Sequence, residues 1–74
     1  MGASSEDIKN QMVDWVVSEI YSAQEIGVAV AVDGEVYSVQ ETDRLHSVME
    51  DNYYMKSYES DARGKIVRID FNHI

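Results

Sequence analysis

Apolar positions between residues 5 and 22 recur with a helical period. The predicted apolar face consists of Met12, Val13, Val16, Val17, Ile20 and Tyr21. Positions three, four and eight apart lie on one side of an α-helix. Ser4 or Ser5 is suited to cap the first turn, and negative charge at Glu6 and Asp7 suits a helix N-terminus. The pattern therefore predicts a helix over residues 5–22.

The period changes to two after Gly27, and the dipeptide Asp33-Gly34 divides the new pattern into two runs. Asp-Gly between alternating runs predicts a hairpin, because a type I′ turn needs positive φ at both central residues. The predicted pairs are Val32 with Glu35, Val30 with Tyr37 and Val28 with Val39. These six residues form the predicted core face. The opposite face carries mostly small side chains: Gly27, Ala29, Ala31, Val36, Ser38 and Gln40.

The second half of the chain repeats the order of a helix followed by a hairpin. Thr42 or Asp43 is the predicted cap of a short helix that ends near Asn52. Its predicted inward residues are Leu45, Val48 and Met49. Extended segments follow at residues 53–59 and 66–72, and Asp61-Ala62-Arg63-Gly64 suits a type I turn closed by a glycine bulge.

This α-β-β-α-β-β order predicts one α+β domain over residues 1–74. Its simplest assembly is a four-stranded antiparallel sheet with both helices on one face. Residues 1–4 are expected to be disordered or derived from a tag.

The composition limits the classes of protein that this chain can represent. Its 74 residues allow one domain, and 45% hydrophobic residues argue against disorder. Without cysteine, there is no disulfide framework, thiolate nucleophile or cysteine zinc site, and a cytoplasmic location is favoured. The longest uncharged apolar run, Ile26 to Val32, is too short to span a membrane. No signal peptide is recognisable.

Negative charge is concentrated in the first two thirds of the chain. Residues 1–51 carry 11 acidic and 2 basic side chains, whereas residues 52–74 carry 3 and 4, which gives −9 and +1 and sums to −8. Such a field repels nucleic acid duplexes and attracts basic protein surfaces. Solubility alone also accounts for an acidic surface.

Catalytic and cofactor-binding motifs are absent from the sequence. It has no glycine-rich phosphate loop, no Gly-x-Ser-x-Gly and no His-Glu-x-x-His. One set of residues has a spacing that suggests a metal site: Asp43, His46 and Glu50. Because a metal site needs three or four convergent ligands, we interpret His46 as an exposed helical histidine. His73 is expected to fray. We therefore expect no enzyme, no cofactor and no metal.

Two function hypotheses remain, from different classes. The first is an acidic protein-binding module that inhibits or regulates a larger protein, and its sharper form is a phage-type mimic of nucleic acid. Its predicted partner-binding residues are Trp15, Glu35, Glu41, Asp43, Glu50 and Asp51. The second is a structural homodimer or assembly subunit, joined through the small sheet face or through Trp15. Aromatic and basic residues in the last hairpin also suggest a single-strand binding platform, although tyrosine simply suits strands.

Overall fold

Helix α1 spans Ser5–Glu25 and is longer than predicted. The computed structural model describes residues 5–74, with side chains from residue 7 onward. The predicted caps at Ser4 or Ser5 and the predicted disorder of residues 1–4 therefore lie outside what is described. The helix contacts the sheet mainly at the strand that comes first in the sequence, which is one of the two central strands.

Three residues one helical turn apart form the centre of the buried face of α1. Val16, Ile20 and Ala23 are buried, and Met12, Val13, Trp15 and Val17 pack at its margins. The prediction that Tyr21 belongs to this face is wrong, since its side chain is 53% exposed. At about 100° per residue, Tyr21 lies roughly 140° around the helix from Val16, which directs it towards solvent.

The first hairpin consists of β1, Ala29–Val32, and β2, Glu35–Tyr37. The predicted pairs Val30 with Tyr37 and Val32 with Glu35 are confirmed. Asp33 and Gly34 both have positive φ, at 49° and 87°, as a type I′ turn needs. The predicted pair of Val28 with Val39 is wrong, because β2 ends at Tyr37 and the chain turns into a 3-10 helix.

This 3-10 helix, Val39–Arg44, leads into a single helical turn, α2, Leu45–Val48. The Ser38 backbone N–H and hydroxyl donate to the Glu41 carboxylate at 3.1 and 3.0 Å. Ser38 is therefore the N-cap of the helical segment, and the predicted cap at Thr42 or Asp43 is wrong. It also ends before the predicted Asn52.

The buried side of this second helical segment is narrower than predicted. Leu45 and Met49 are buried in the main core, as expected, but Val48 is 41% exposed. The backbone at Met49 is already extended, so α2 ends at Val48. A single turn has room for one inward row of side chains, and Leu45 and Met49 occupy it.

The second hairpin joins β3, Tyr54–Ser60, to β4, Ile66–His73. Its turn has the predicted form. The Gly64 N–H donates to the Asp61 carbonyl at 3.0 Å, and Gly64 has a φ of 79°. The Asp61 carboxylate also accepts the backbone N–H groups of Arg63 and Lys65. The pairing is irregular between Glu59 and Ser60.

The sheet has the strand order β2-β1-β4-β3 and is mixed, which corrects the predicted antiparallel arrangement. Both hairpins are antiparallel, but β1 pairs with β4 in parallel and places Val30 opposite Ile69 and Val32 opposite Phe71. The chain crosses from β2 to the far edge at β3, so β4 returns beside β1 in the same direction. The prediction that both helices cover one face stays a prediction.

The core lies between α1 and the two central strands. Its largest fully buried side chains are Phe71, Leu45, Val16 and Val30.

Among the described residues, no helix has the length and apolar character required to cross a membrane.

Candidate functional site

Two of the predicted acidic residues, Glu35 and Glu41, are linked through Tyr37 and Arg44. The Tyr37 hydroxyl donates to the Glu35 carboxylate at 3.1 Å. The Arg44 guanidinium lies 5.9 Å from the centre of the Tyr37 ring and pairs with Glu41 at 3.3 Å. The end of β2 and the 3-10 helix therefore bring these two carboxylates to one part of the surface.

The titration of this group follows from its contacts. Burial raises the pKa of the Tyr37 hydroxyl, and the nearby Glu35 carboxylate raises it further. Hydrogen bonds from the Ser38 backbone and hydroxyl lower the pKa of Glu41, and Arg44 adds to that effect. These contacts favour the ionised form of Glu41. Its carboxylate already accepts hydrogen bonds from Ser38 and pairs with Arg44.

Glu50 and Asp51 lie in the loop between α2 and β3. Asp51 pairs with Lys9 of α1 at 3.6 Å. The Glu50 backbone N–H donates to the Tyr54 hydroxyl at 2.7 Å, and that hydroxyl donates to Asp33 at 3.3 Å. Asp33 belongs to the Asp33-Gly34 turn that leads into β2. The loop with Glu50 and Asp51 therefore lies next to this turn.

Sequence reasoning missed a polar junction between Asp33 and His73. Asp33 Oδ1 accepts the His73 backbone N–H at 3.1 Å and lies 2.9 Å from His73 Nδ1. His73 is therefore the last residue of β4, and the expectation that it frays is wrong. No local pattern indicates this contact, because the two residues are 40 positions apart.

The junction changes the protonation of its members. Partial burial by itself would raise the pKa of Asp33, but hydrogen bonds and charge from His73 outweigh it, so that the pKa lies below the ordinary value. Burial raises the pKa of Tyr54, and the Asp33 carboxylate contributes in the same direction. Asp33 is therefore an anion at neutral pH, and Tyr54 is a neutral donor.

Most of the lysine and arginine side chains form ion pairs within the described part of the chain. Four of them contact carboxylates: Lys9 with Asp51, Arg44 with Glu41, Lys56 with Glu19, and Arg68 with Glu59 and Asp70. Within residues 7–74, Arg63 and Lys65 form no ion pair, and both lie in the turn of the second hairpin. Asp43 and the Glu35 and Glu50 side chains form no ion pair within the same residues.

The cations Arg63 and Lys65, which share their turn with the Asp61 carboxylate, therefore lie far along the sheet from Glu50. The seven residues of β3 separate loop 49–53 from the turn with Arg63 and Lys65, which is about 23 Å at the usual rise per residue. The molecule extends over 46 Å in its longest direction. Glu50 and Asp51 lie before one end of β3, and the turn after its other end carries Arg63 and Lys65 together with Asp61.

Trp15 packs at the edge of the core. Its ring meets the Phe71 ring edge to face, with centroids 4.9 Å apart and planes at 86°. The side chain is half-buried, and its predicted role at a partner surface stays a prediction. Of the aromatic side chains in the suggested platform of the last hairpin, Tyr54 and Phe71 are buried, whereas Tyr53 and Tyr58 are exposed. Its role in binding single strands stays a prediction.

An open cavity of about 390 Å³ lies where the first hairpin stops pairing. It is bordered by the end of α1, the start of β1 and the segment from Val36 to Gln40. Its lining is largely apolar, and no charged side chain contributes to it. The polar side chains along its border are those of Gln24, Tyr37, Ser38 and Gln40.

The described residues contain no cluster of three or more His, Asp or Glu side chains arranged to hold a metal ion. His46 Nε2 lies 3.1 Å from the Asn10 side-chain oxygen, so this histidine contacts α1 instead of Asp43 or Glu50.

Comparison with known proteins gives no match to a family model, to a curated protein or to a solved structure.

Proposed function

We propose that this chain is a non-catalytic protein-binding module that inhibits or regulates a larger protein with a basic surface. The proposed contact surface, which we call the acidic surface, consists of Glu35, Glu41, Asp43, Glu50 and Asp51. The partner binds through lysine and arginine side chains, and the proposed location is the cytoplasm.

The separation of charge carries this proposal. Asp43 and the side chains of Glu35 and Glu50 have no cation within residues 7–74, whereas four of the six cations are already neutralised by neighbours. The whole chain has a net charge of −8, so its long-range field is negative as well. Such a field increases the rate and specificity with which a basic partner docks.

The sharper form of the proposal is mimicry of nucleic acid, of the type that phage-like inhibitors use. Exposed carboxylates take the place of phosphates in the groove of a nuclease or a transcription factor. Duplex DNA would then compete for the same partner, and binding would weaken with salt because screening shortens the reach of exposed charges.

A matched pair of double variants tests the acidic surface. The test variant combines Glu35→Gln with Asp43→Asn, and the control combines Asp14→Asn with Glu25→Gln on α1. Each changes the net charge from −8 to −6. The tagged chain is used to capture proteins from a lysate of its source cells at low and high salt.

The proposal expects a captured basic protein that salt and duplex DNA release and that the test variant loses while the control retains. Equal losses in the two variants would attribute capture to net charge alone and overturn the proposed surface. Capture that is unchanged by salt and by DNA would overturn mimicry.

A further inference from the structure

We propose that two copies of this chain associate through their β3 strands, which pair antiparallel and join two four-stranded sheets into one of eight strands. This inference rests on the outer edge of β3. It shares Glu50 and Asp51 with the proposed acidic surface, but it does not depend on a partner binding there. It starts from the edges of the sheet.

The two edges of the sheet differ in length. β2 forms one edge with three residues, whereas β3 forms the other with seven. No described strand pairs with the outer side of β3. An edge strand of this length presents a row of N–H and C=O groups that another strand can bind. Exposed apolar side chains accompany it, with Met55 at 62% and Tyr58 at 58% exposure.

The backbone pattern identifies which residues of β3 point outward. The Ile74 N–H donates to the Tyr53 carbonyl, so Tyr53 directs its backbone groups towards β4. Because such groups alternate along an antiparallel strand, those of Tyr54, Lys56 and Tyr58 point away from the sheet. These are the groups that a second strand would bind.

A two-fold axis at Ser57 gives the most favourable register for two identical strands. It pairs all seven residues: Tyr54 with Ser60, Met55 with Glu59, Lys56 with Tyr58, and Ser57 with itself. Lys56 and Tyr58 then bond through their outward backbone groups. No like charges face each other, whereas an axis at Lys56 or Glu59 would oppose two identical charges.

Lys56 does not protect this edge in the way that lysine protects many edge strands. Its ammonium group pairs with Glu19 of α1, and both side chains are mostly buried. The positive charge is thus neutralised within the chain and directed to the helix side. Its ammonium also lies 5.0 Å from the centre of the Tyr58 ring on the same strand.

Charge complementarity beyond the strands favours a second copy as the occupant. With the axis at Ser57, the hairpin turn of each copy extends along the loop that precedes β3 in the other. Arg63 and Lys65, which form no ion pair within residues 7–74, then approach Glu50 and Asp51 of the second copy. Two-fold symmetry makes this contact twice, each time between a turn with two basic side chains and one acidic side chain, Asp61, and a loop with two acidic side chains.

Single cysteines test this register, because the chain contains no cysteine of its own. Ser57→Cys places two thiols at a non-hydrogen-bonded pair on the axis, where Cα atoms about 4.5 Å apart suit a disulfide. Ser60→Cys is the matched control on the same exposed strand. Its two sulfurs would be about 20 Å apart, since each lies three residues from the axis.

We expect a dimer by light scattering, with twice the chain mass of 8.4 kDa, and rapid oxidative cross-linking of Ser57→Cys alone. A protein that remains monomeric at high micromolar concentration would overturn the proposal. Equal cross-linking of the two variants, or cross-linking of Ser60→Cys alone, would overturn the register. Neither result alters the test of the acidic surface, which is read from captured partners.

Discussion

Asp33 and His73 connect the C-terminal ends of the two parallel strands. The carboxylate of Asp33 accepts the His73 backbone N–H at 3.1 Å and contacts the His73 ring at 2.9 Å, while the Asp33 N–H donates to the Phe71 carbonyl at 2.8 Å. The side chain of Asp33 thus extends the backbone pairing of β1 with β4 by one step. It also accepts the Tyr54 hydroxyl, which ties β3 to the same point.

Replacing Asp33 by asparagine should weaken this junction without removing the turn. Asparagine tolerates positive φ and keeps one oxygen acceptor, but it loses the charge that strengthens both bonds to His73. We expect the free energy of unfolding to fall by about 1 kcal/mol. Urea unfolding followed by circular dichroism measures the change. Asp43→Asn, which removes a charge with no ion pair within residues 7–74, is the control and should leave stability nearly unchanged.

The contribution of Asp33 should depend on pH in one direction. Because its pKa in the folded chain lies below the ordinary value of 3.8, Asp33 stabilises the fold above that pH and loses this effect as pH falls through its folded pKa. The stability difference between the native chain and Asp33→Asn should therefore shrink as the pH falls from about 5 to about 3, where Asp33 takes up its proton. A difference that grows over this range would contradict this account.

Helix α1, both hairpin turns and the register next to the first turn are readable from the sequence because they are local. The Asp33-Gly34 turn specifies the pairs Val32 with Glu35 and Val30 with Tyr37, and the period of α1 identifies Val16 and Ile20. No local sequence pattern predicts the parallel pairing of β1 with β4, because it joins residues as far apart as Val32 and Phe71. Both strands alternate in the same way whichever direction they run.

The candidate site was predictable only in its charge. Composition identifies an acidic protein, but it does not show that Glu41 and Asp51 are engaged by Arg44 and Lys9. Nor does it show that Glu35 and Asp43 have no ion pair within residues 7–74. These distinctions depend on tertiary contacts, and so do the roles of Asp33 and His73.

The ion pair between Lys56 and Glu19 should show measurable coupling. It connects β3 to α1, and its side chains are only 22% and 20% exposed, so it is less screened than a surface pair. A double-mutant cycle with Glu19→Gln and Lys56→Met should give a coupling energy of about 1–2 kcal/mol. The same cycle on Glu41 and Arg44, which lie at the surface, is the comparison and should give a smaller value.

Removing Phe71 should nearly unfold the domain. Its ring is fully buried at the centre of the sheet and supports Trp15. Phe71→Ala should cost about 3–5 kcal/mol, which is a large part of the stability of a domain this small. Val36→Ala, on an exposed strand position, should cost about 0.5 kcal/mol. Trp15 fluorescence follows both transitions, and equal losses would mean that Phe71 is not central to the core.

Charge reversal in the second hairpin should weaken the proposed dimer, and a compensating reversal should restore it. Arg63→Glu would place a carboxylate near Glu50 and Asp51 of the second copy at two symmetric positions, and we expect dissociation to increase about tenfold. Adding Glu50→Arg returns the net charge from −10 to −8 and recreates opposite charges across the interface.

Sedimentation equilibrium measures the dissociation constant of each variant. If the second change fails to restore association although both variants remain folded by circular dichroism, Arg63 does not lie near Glu50 of the second copy. The register centred on Ser57 would then be wrong, because it is the register that brings the basic turn of each copy to the acidic loop of the other.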